Sequence, residues 1–323
     1  MAAETKAVKL TRSQIRAKLW AIGDLSWICH PVQKQMRDMY YSASPNSTSV
    51  WLLSRQSGKS YLIAILALEE ALRNPNAVIK IATDTKVHLE NILIPIFNEL
   101  FANFECPKEV TPKYYKHEFK FVFPHNQAQI QFAGTDSGHY EKLRGQKSQA
   151  VFIDEAGFCN DLHKVVTSVL LPTTTHTGGK IVLASTPPEN LDHDFMGFIE
   201  RAQGKKLLTT KTIYDNPLLN KTQIETLLEE AGGVDSDSWK REYLCQLLKD
   251  TNKSVIPEAT EEFMKSITAV HPKPPFISAY AGLDLGFKDL TVYLLGYYDF
   301  RADKVVYYRE WTRTGPKLDL NTM

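Results

Sequence analysis

Apolar residues along the chain fall in short blocks separated by stretches of helical length. Residues 1–45 are polar and read as helical, and they close on a loop signal, Ser44-Pro45-Asn46-Ser47-Thr48-Ser49. Val50-Trp51-Leu52-Leu53 then predicts a short buried strand. After the segment SRQSGKS, the run YLIAILALEEALR predicts a helix that is apolar on most of its surface, and therefore buried. Further apolar runs at 77–82, 119–123, 128–132, 150–153 and 180–184 predict strands, while 86–102 and 161–171 have helical length. Apolar strands alternating with helices predict an α/β fold, with a mostly parallel sheet covered on both faces. Pro124-His125-Asn126-Gln127 predicts a hairpin set into that pattern. Residues 216–249 are helical again and broken at Gly232-Gly233. His271-Pro272-Lys273-Pro274-Pro275 reads as a linker, with new strands predicted beyond it at 280–285, 291–298 and 304–308.

Composition narrows the class. The 323 residues suggest two domains, or one large domain with an appendage, and 43% hydrophobic with 23% charged residues exclude disorder over most of the chain. Lys and Arg total 38 against 37 Asp and Glu, a net charge of +1. That balance excludes nucleic-acid binding by bulk charge but leaves room for a local basic groove. Candidate groove residues are Lys108, Lys113, Lys116, Lys120, Arg201, Lys205 and Lys206, each more readily a solvated face and none assigned as a site. No apolar run reaches 18 residues, so no membrane-spanning helix and no membrane partner are expected. The four cysteines form no CxxC pair and are expected to be buried thiols of an intracellular protein.

The strongest chemical signal is Ser54-Arg55-Gln56-Ser57-Gly58-Lys59-Ser60, set between a strand and a long helix. Backbone N–H groups of such a turn converge on a phosphate chain. Lys59 would reach the β- and γ-phosphates, and the Ser60 hydroxyl would sit on Mg²⁺. The loop departs from the usual pattern, because Leu53 stands where the first glycine belongs. The run Val151-Phe152-Ile153-Asp154-Glu155 puts two carboxylates at the end of a strand, the edge where nucleotides bind in such sheets. Asp154 would hold the Mg²⁺ shell, and Glu155 would polarise the attacking water. Ser185-Thr186-Pro187 ends the next apolar run, where Thr186 can sense the γ-phosphate, although an ordinary helix cap has the same sequence. Gln33 carries an amide able to read an adenine edge.

In this order the motifs resemble the large terminase subunit of tailed bacteriophages, the motor that packages DNA. Gln33 looks like that family's adenine-reading glutamine, and the variant loop with Arg55 is similar to its phosphate loop. Leu143-Arg144-Gly145 ahead of VFIDEA, Ser185-Thr186-Pro187, Asp215-Asn216-Pro217-Leu218 and Trp239-Lys240-Arg241-Glu242-Tyr243-Leu244 are also family-like. The resemblance implies an ASCE-type P-loop ATPase domain over 1–204, a helical lid over 205–255 and a linker over 256–275. It implies the start of an RNase H-like nuclease over 276–323. ATP and Mg²⁺ would be bound at Gln33, Ser54, Arg55, Gln56, Ser57, Gly58, Lys59, Ser60, Asp154 and Thr186. Glu155 would be catalytic, with Arg144 as a finger in trans or Arg55 in cis. Double-stranded DNA, the portal protein, the small terminase subunit and further copies of the chain in a ring would be partners. The chain would work in the host cytoplasm, docked transiently on the procapsid portal.

The same resemblance makes Asp284 a Mg²⁺ ligand of the nuclease, with Asp289 a further carboxylate. Two-metal cleavage needs several carboxylates, and only 39 residues follow Asp284. Asp299 reads as a turn residue, so no competent nuclease is expected. Two other functional classes remain open from sequence. One is a superfamily 2 helicase, although Asp154-Glu155-Ala156-Gly157 lacks that group's acidic tetrad. The other is a terminase fragment that binds DNA or other subunits without turnover.

Overall fold

A computed structural model describes residues 10–248, 261–269, 274–285 and 290–314. They belong to two compact units that divide at residue 250. The first unit is built on an eight-stranded sheet in the order β3-β4-β5-β2-β6-β7-β1-β8. Its strands are β1 Thr48–Leu53, β2 Val78–Thr83, β3 Lys113–Tyr115, β4 Lys120–Val122, β5 Gln129–Gly134, β6 Ala150–Asp154, β7 Lys180–Ser185 and β8 Leu208–Lys211. Strands β5, β2, β6, β7, β1 and β8 pair in parallel. The expected hairpin appears as β4 antiparallel to β5, and β3 extends it at the edge.

The strands alternate between two apolar cores, as a sheet covered on both faces requires. Trp51, Leu53, Ile79, Ile81, Phe152, Val182 and Ala184 point into one core. It is filled by helices α1 (Arg12–Ala21), α2 (Pro31–Ser42), α3 (Lys59–Arg73) and α4, a continuous helical segment over 86–103. Val50, Leu52, Val151, Ile153, Ile181 and Leu183 point into the other core, against α5 (162–174) and α6 (Asp194–Gly204). Segments α4 and α5 each contain a π-helical stretch, Leu89–Leu93 and Val165–Leu170. Helix α3 is buried from Leu62 to Glu69, which explains its nearly all-round apolar sequence.

Two ranges drawn on sequence contain elements that the sequence reading did not place there. Strand β8 lies within the range 205–255 expected to be lid, yet it pairs with β1 and forms the sheet's edge. Its sequence, Leu-Thr-Thr-Lys, is short and polar because one side of an edge strand has no neighbour. Helix α7 (Lys221–Glu230) and a π-helical turn, Trp239–Tyr243, follow it. The expected linker, 256–275, includes a short helix, α8 (Glu261–Ile267), while most of its Pro-rich end lies outside the described residues. In the second unit β9 (Tyr280–Asp284), β10 (Leu290–Asp299) and β11 (Lys304–Thr314) form an antiparallel sheet in the order β11-β10-β9. Cys29, Cys159 and Cys245 are buried free thiols, as expected, whereas Cys106 is half-buried.

Candidate active site

Because β2, β6, β7 and β1 are parallel neighbours, their C-terminal ends share one edge of the sheet. The chain leaves β1 into the loop Ser54–Ser60, β6 into Asp154-Glu155 and β7 into Thr186. Strands β1 and β6, with β7 between them, thus bring together residues 94 positions apart in sequence, at the edge where α/β sheets bind ligands.

The loop is shaped by Gly58, which is the N-cap of α3 at φ +74°. A Cβ there would also stand 2.8 Å from Gln33 Nε2, so both conformation and space require glycine. Gln33 is 5% exposed, and its Nε2 donates to Gly58 O at 3.1 Å. Its Oε1 accepts from the His30 N–H, closing a capping box at the start of α2. The residue expected to read adenine is thus seen to brace the loop Ser54–Ser60. Three more hydrogen bonds hold the loop from outside. Ser54 N–H donates to Lys211 O at 2.9 Å, Arg55 N–H to Glu242 O at 2.8 Å, and Asn216 Nδ2 to Gln56 O at 2.6 Å. Asn216 and Glu242 are thus loop clamps, a role visible in sequence only as part of family-like segments.

Ser60 Oγ donates to Asp154 Oδ2 at 2.5 Å, and Asp154 is fully buried at the end of β6. A hydroxyl and a carboxylate oxygen meeting in this way suit Mg²⁺, a hard cation that takes oxygen ligands and retains waters. Lys59 Nζ pairs with Glu155 Oε1 at 2.6 Å. Burial opposes the Lys59 ammonium, but Asp154 and Glu155 outweigh it and raise its pKa. Burial raises the Glu155 pKa despite Lys59, which makes its carboxylate a better proton acceptor. Glu155 sits in the left-handed region at φ +54° and ψ 42°. Such a backbone costs a non-glycine residue on the order of 1–3 kcal/mol and is concentrated at working sites. Next to it, Gly157 lets the ends of β6 and β7 approach, since a Cβ there would meet Ser185 Oγ and Thr186 O at 2.9 Å.

A cavity of about 220 Å³ opens beside these groups, lined by Arg55, Asp84, His88, Glu155, Phe158, Thr186 and Glu242. Five polar atoms nearby are buried without a hydrogen-bond partner among the described residues: Ser54 Oγ, Ser57 Oγ, His88 Nε2, Ser185 Oγ and Glu155 Oε2. Arg55 is tied by its Nε to Glu242 Oε2 at 2.8 Å, the main reason its pKa is raised. Arg144 is placed elsewhere. Its side chain is 51% exposed, its guanidinium bonded to Glu141 at 2.6 Å and to Ser168 O at 3.2 Å, and it does not line the cavity. Asp84 and His88, at the end of β2, line the cavity although no sequence motif marked them.

Of the nuclease candidates, Asp284 and Asp299 lie within the described residues. Asp284 ends β9 and is exposed, and Asp289 lies outside the described residues. Asp299 Oδ1 accepts from the N–H groups of Arg301 and Ala302, a turn residue as read from sequence. Among the described residues, no three His, Cys, Asp or Glu side chains converge as a metal site.

Solved structures share the fold. The large terminase of a thermophilic bacteriophage, in complex with ADP, aligns at TM-score 0.55 and 17% identity, covering 91% of this chain and 72% of that one. The HK97 bacteriophage large terminase aligns at TM-score 0.63 and 16% identity, covering 94% and 68%. The ATPase domain of the Thermus phage P74-26 large terminase aligns at 0.53 and 18% identity, covering 68% and 94%. No curated protein matches the chain. The family model described as terminase large subunit, T4likevirus-type, N-terminal, matches residues 50–263, more than half of the sequence and all of the edge that carries the candidate site. The chain belongs to that terminase family.

Proposed function

We propose that the chain is an ATP-hydrolysing motor subunit that moves double-stranded viral DNA into a procapsid. The observation that carries this is the convergence of Lys59, Ser60, Asp154 and Glu155 on one sheet edge. Terminase family membership and fold likeness to an ADP-bound terminase support it. Lys59, Ser60 and the loop N–H groups bind the phosphates, and Gln33 braces the loop and faces the base. Mg²⁺ held by Ser60 and Asp154 would neutralise phosphate charge during transfer. A phosphate chain competes with Glu155 for Lys59, which frees Oε1 to join Oε2 in orienting water. Arg55 lies on the same cavity and acts in cis, while the exposed Arg144 suits the site of a neighbouring copy. Thr186 and the clamps Asn216 and Glu242 link the phosphate end of the site to the segment after β8.

Double-stranded DNA, the portal protein, the small terminase subunit and a ring of copies are the proposed partners, with the procapsid portal in the host cytoplasm as the place of action. Nuclease activity is outside the proposal. The deciding experiment compares ATP turnover by the wild-type chain and Glu155→Ala. Loss of general-base catalysis lowers turnover by about 10²–10⁴-fold with nucleotide binding retained. Equal turnover in the two would sink the ATPase assignment.

A further inference from the structure

The site contains a pair that the mechanism above leaves unused. Asp84 follows the last residue of β2, and Thr85 caps the helical turn after it by accepting from His88 N–H at 3.2 Å. That turn brings His88 Nδ1 to 3.1 Å from Asp84 Oδ1. Asp84 is itself fixed. Its Oδ1 accepts from Thr83 Oγ1 at 2.9 Å, and its carbonyl accepts from Asp136 N–H and Thr135 Oγ1. The imidazole is thus oriented from a rigid strand end, in the way a carboxylate orients a working histidine. Its other nitrogen, Nε2, is buried and has no hydrogen-bond partner. The ring lines the cavity shared with Glu155, Arg55 and Thr186.

A buried ring nitrogen without a partner has lost its water and gained nothing in exchange, so a ligand that completes its hydrogen bond binds more tightly. The hydrogen bond to Asp84 raises the His88 pKa, burial opposes the rise, and Asp154 and Glu155 reinforce it. Arg55 is the other cation on this cavity and is partnered by Glu242. With a proton on both ring nitrogens, Nδ1–H is held by Asp84 and Nε2–H is the donor left for a ligand in the cavity that His88 lines. The imidazolium is complementary to a compact anion rather than to a base or a sugar.

We propose that His88, oriented by Asp84, is a nucleotide-binding residue that donates from Nε2 to the terminal phosphate and lets the chain distinguish a nucleoside triphosphate from a diphosphate. The proposal rests on the ATPase assignment above and adds a contact from β2 that the phosphate loop does not supply. An ADP molecule seated on Lys59 and Ser60 has no phosphate for it.

The test is calorimetric titration of the full chain with ATPγS and with ADP. His88→Ala should weaken ATPγS by about tenfold or more, the worth of one charged hydrogen bond, and leave ADP within about twofold. His88→Gln, whose amide N–H can reach the Nε2 position, should recover most of the ATPγS affinity. Asp84→Asn should lose part of it. ADP affinity serves as the control for folding. Should His88→Ala prove insoluble, His88→Asn, whose amide reaches only the Nδ1 position, makes the same comparison. Unchanged ATPγS affinity, or equal losses for the two nucleotides, overturns the proposal. A wild-type chain that binds neither nucleotide overturns the ATPase assignment and this contact with it, whereas wild-type binding with an indifferent His88 overturns the contact alone.

Discussion

At the scale of single residues, the side chains that sequence reading passed over are those whose burial contradicts their type. Lys80 lies in the apolar run 77–82, and its neighbours Ile79 and Ile81 point into the first core. Alternation turns Lys80 to the other face, where it is fully buried and donates from Nζ to Gln146 O. Burial lowers its pKa from 10.5 to about 8. Below pH about 8 both folded and unfolded chains hold the proton, and the folded state bears the desolvation. Between about 8 and 10.5 the unfolded chain holds more protons, so stability rises with pH, by at most about 3 kcal/mol. Urea unfolding from pH 7 to 10.5 should therefore show the wild type gaining on Lys80→Met, and parallel curves would refute this origin for the shift. The motif residues Lys59, Ser60, Asp154 and Glu155 were legible because their types, spacing and flanks are fixed by phosphate chemistry. Asp84 and His88 were not. An Asp and a His four apart at a strand end is ordinary, and only the parallel register of β2 with β6 puts them beside Glu155.

At the scale of elements, the strands of the sheet centre were legible because burial on both faces makes them apolar throughout. The edge strand β8 was hidden by its polar sequence. How α2 is held beside α3 was hidden as well, and much of the answer is one carboxylate. Glu69, on the otherwise apolar α3, is fully buried. It accepts from Leu25 N–H at 2.7 Å, from Arg37 at 2.9 Å, from Tyr41 OH at 2.9 Å and from Arg73 at 3.4 Å. Arg37 and Tyr41 belong to α2, the helix that carries Gln33 to the phosphate loop. Breaking a buried pair leaves the remaining charge without compensation, so Glu69→Ala should cost about 3–5 kcal/mol in denaturant unfolding. Glu69→Gln keeps the shape and some acceptors and should cost less. In either variant that remains folded, nucleotide affinity should fall through the loss of the Gln33 brace. A Glu69→Ala chain as stable as wild type would show that α2 is held by its apolar contacts alone.

At the scale of the whole molecule, the two arginines expected at the site divide by location. Arg55 lines the cavity of its own chain, whereas Arg144 is half-exposed beyond it and pairs with Glu141 and the Ser168 carbonyl. An exposed ion pair of this kind contributes little to stability, so Arg144 is inexpensive to withdraw for use elsewhere. A finger acting between copies makes turnover a property of the assembly, worth about 10³–10⁵ in rate. Arg144→Ala should therefore bind nucleotide as wild type does but turn it over slowly. Its own site stays intact, while Glu155→Ala has a ruined site and an intact finger. Mixing the two slow variants should restore turnover, because an Arg144→Ala site can then receive Arg144 from a Glu155→Ala neighbour. In an equal mixture arranged head to tail, about a quarter of sites have that pairing, so about a quarter of wild-type activity is the expected ceiling. Recovery should rise with total protein concentration as contacts between copies form. A finger acting only within its own chain predicts no recovery at any ratio or concentration. The mixing experiment thus decides, without a structure of the ring, whether the exposed position of Arg144 marks the surface that meets the next subunit's nucleotide.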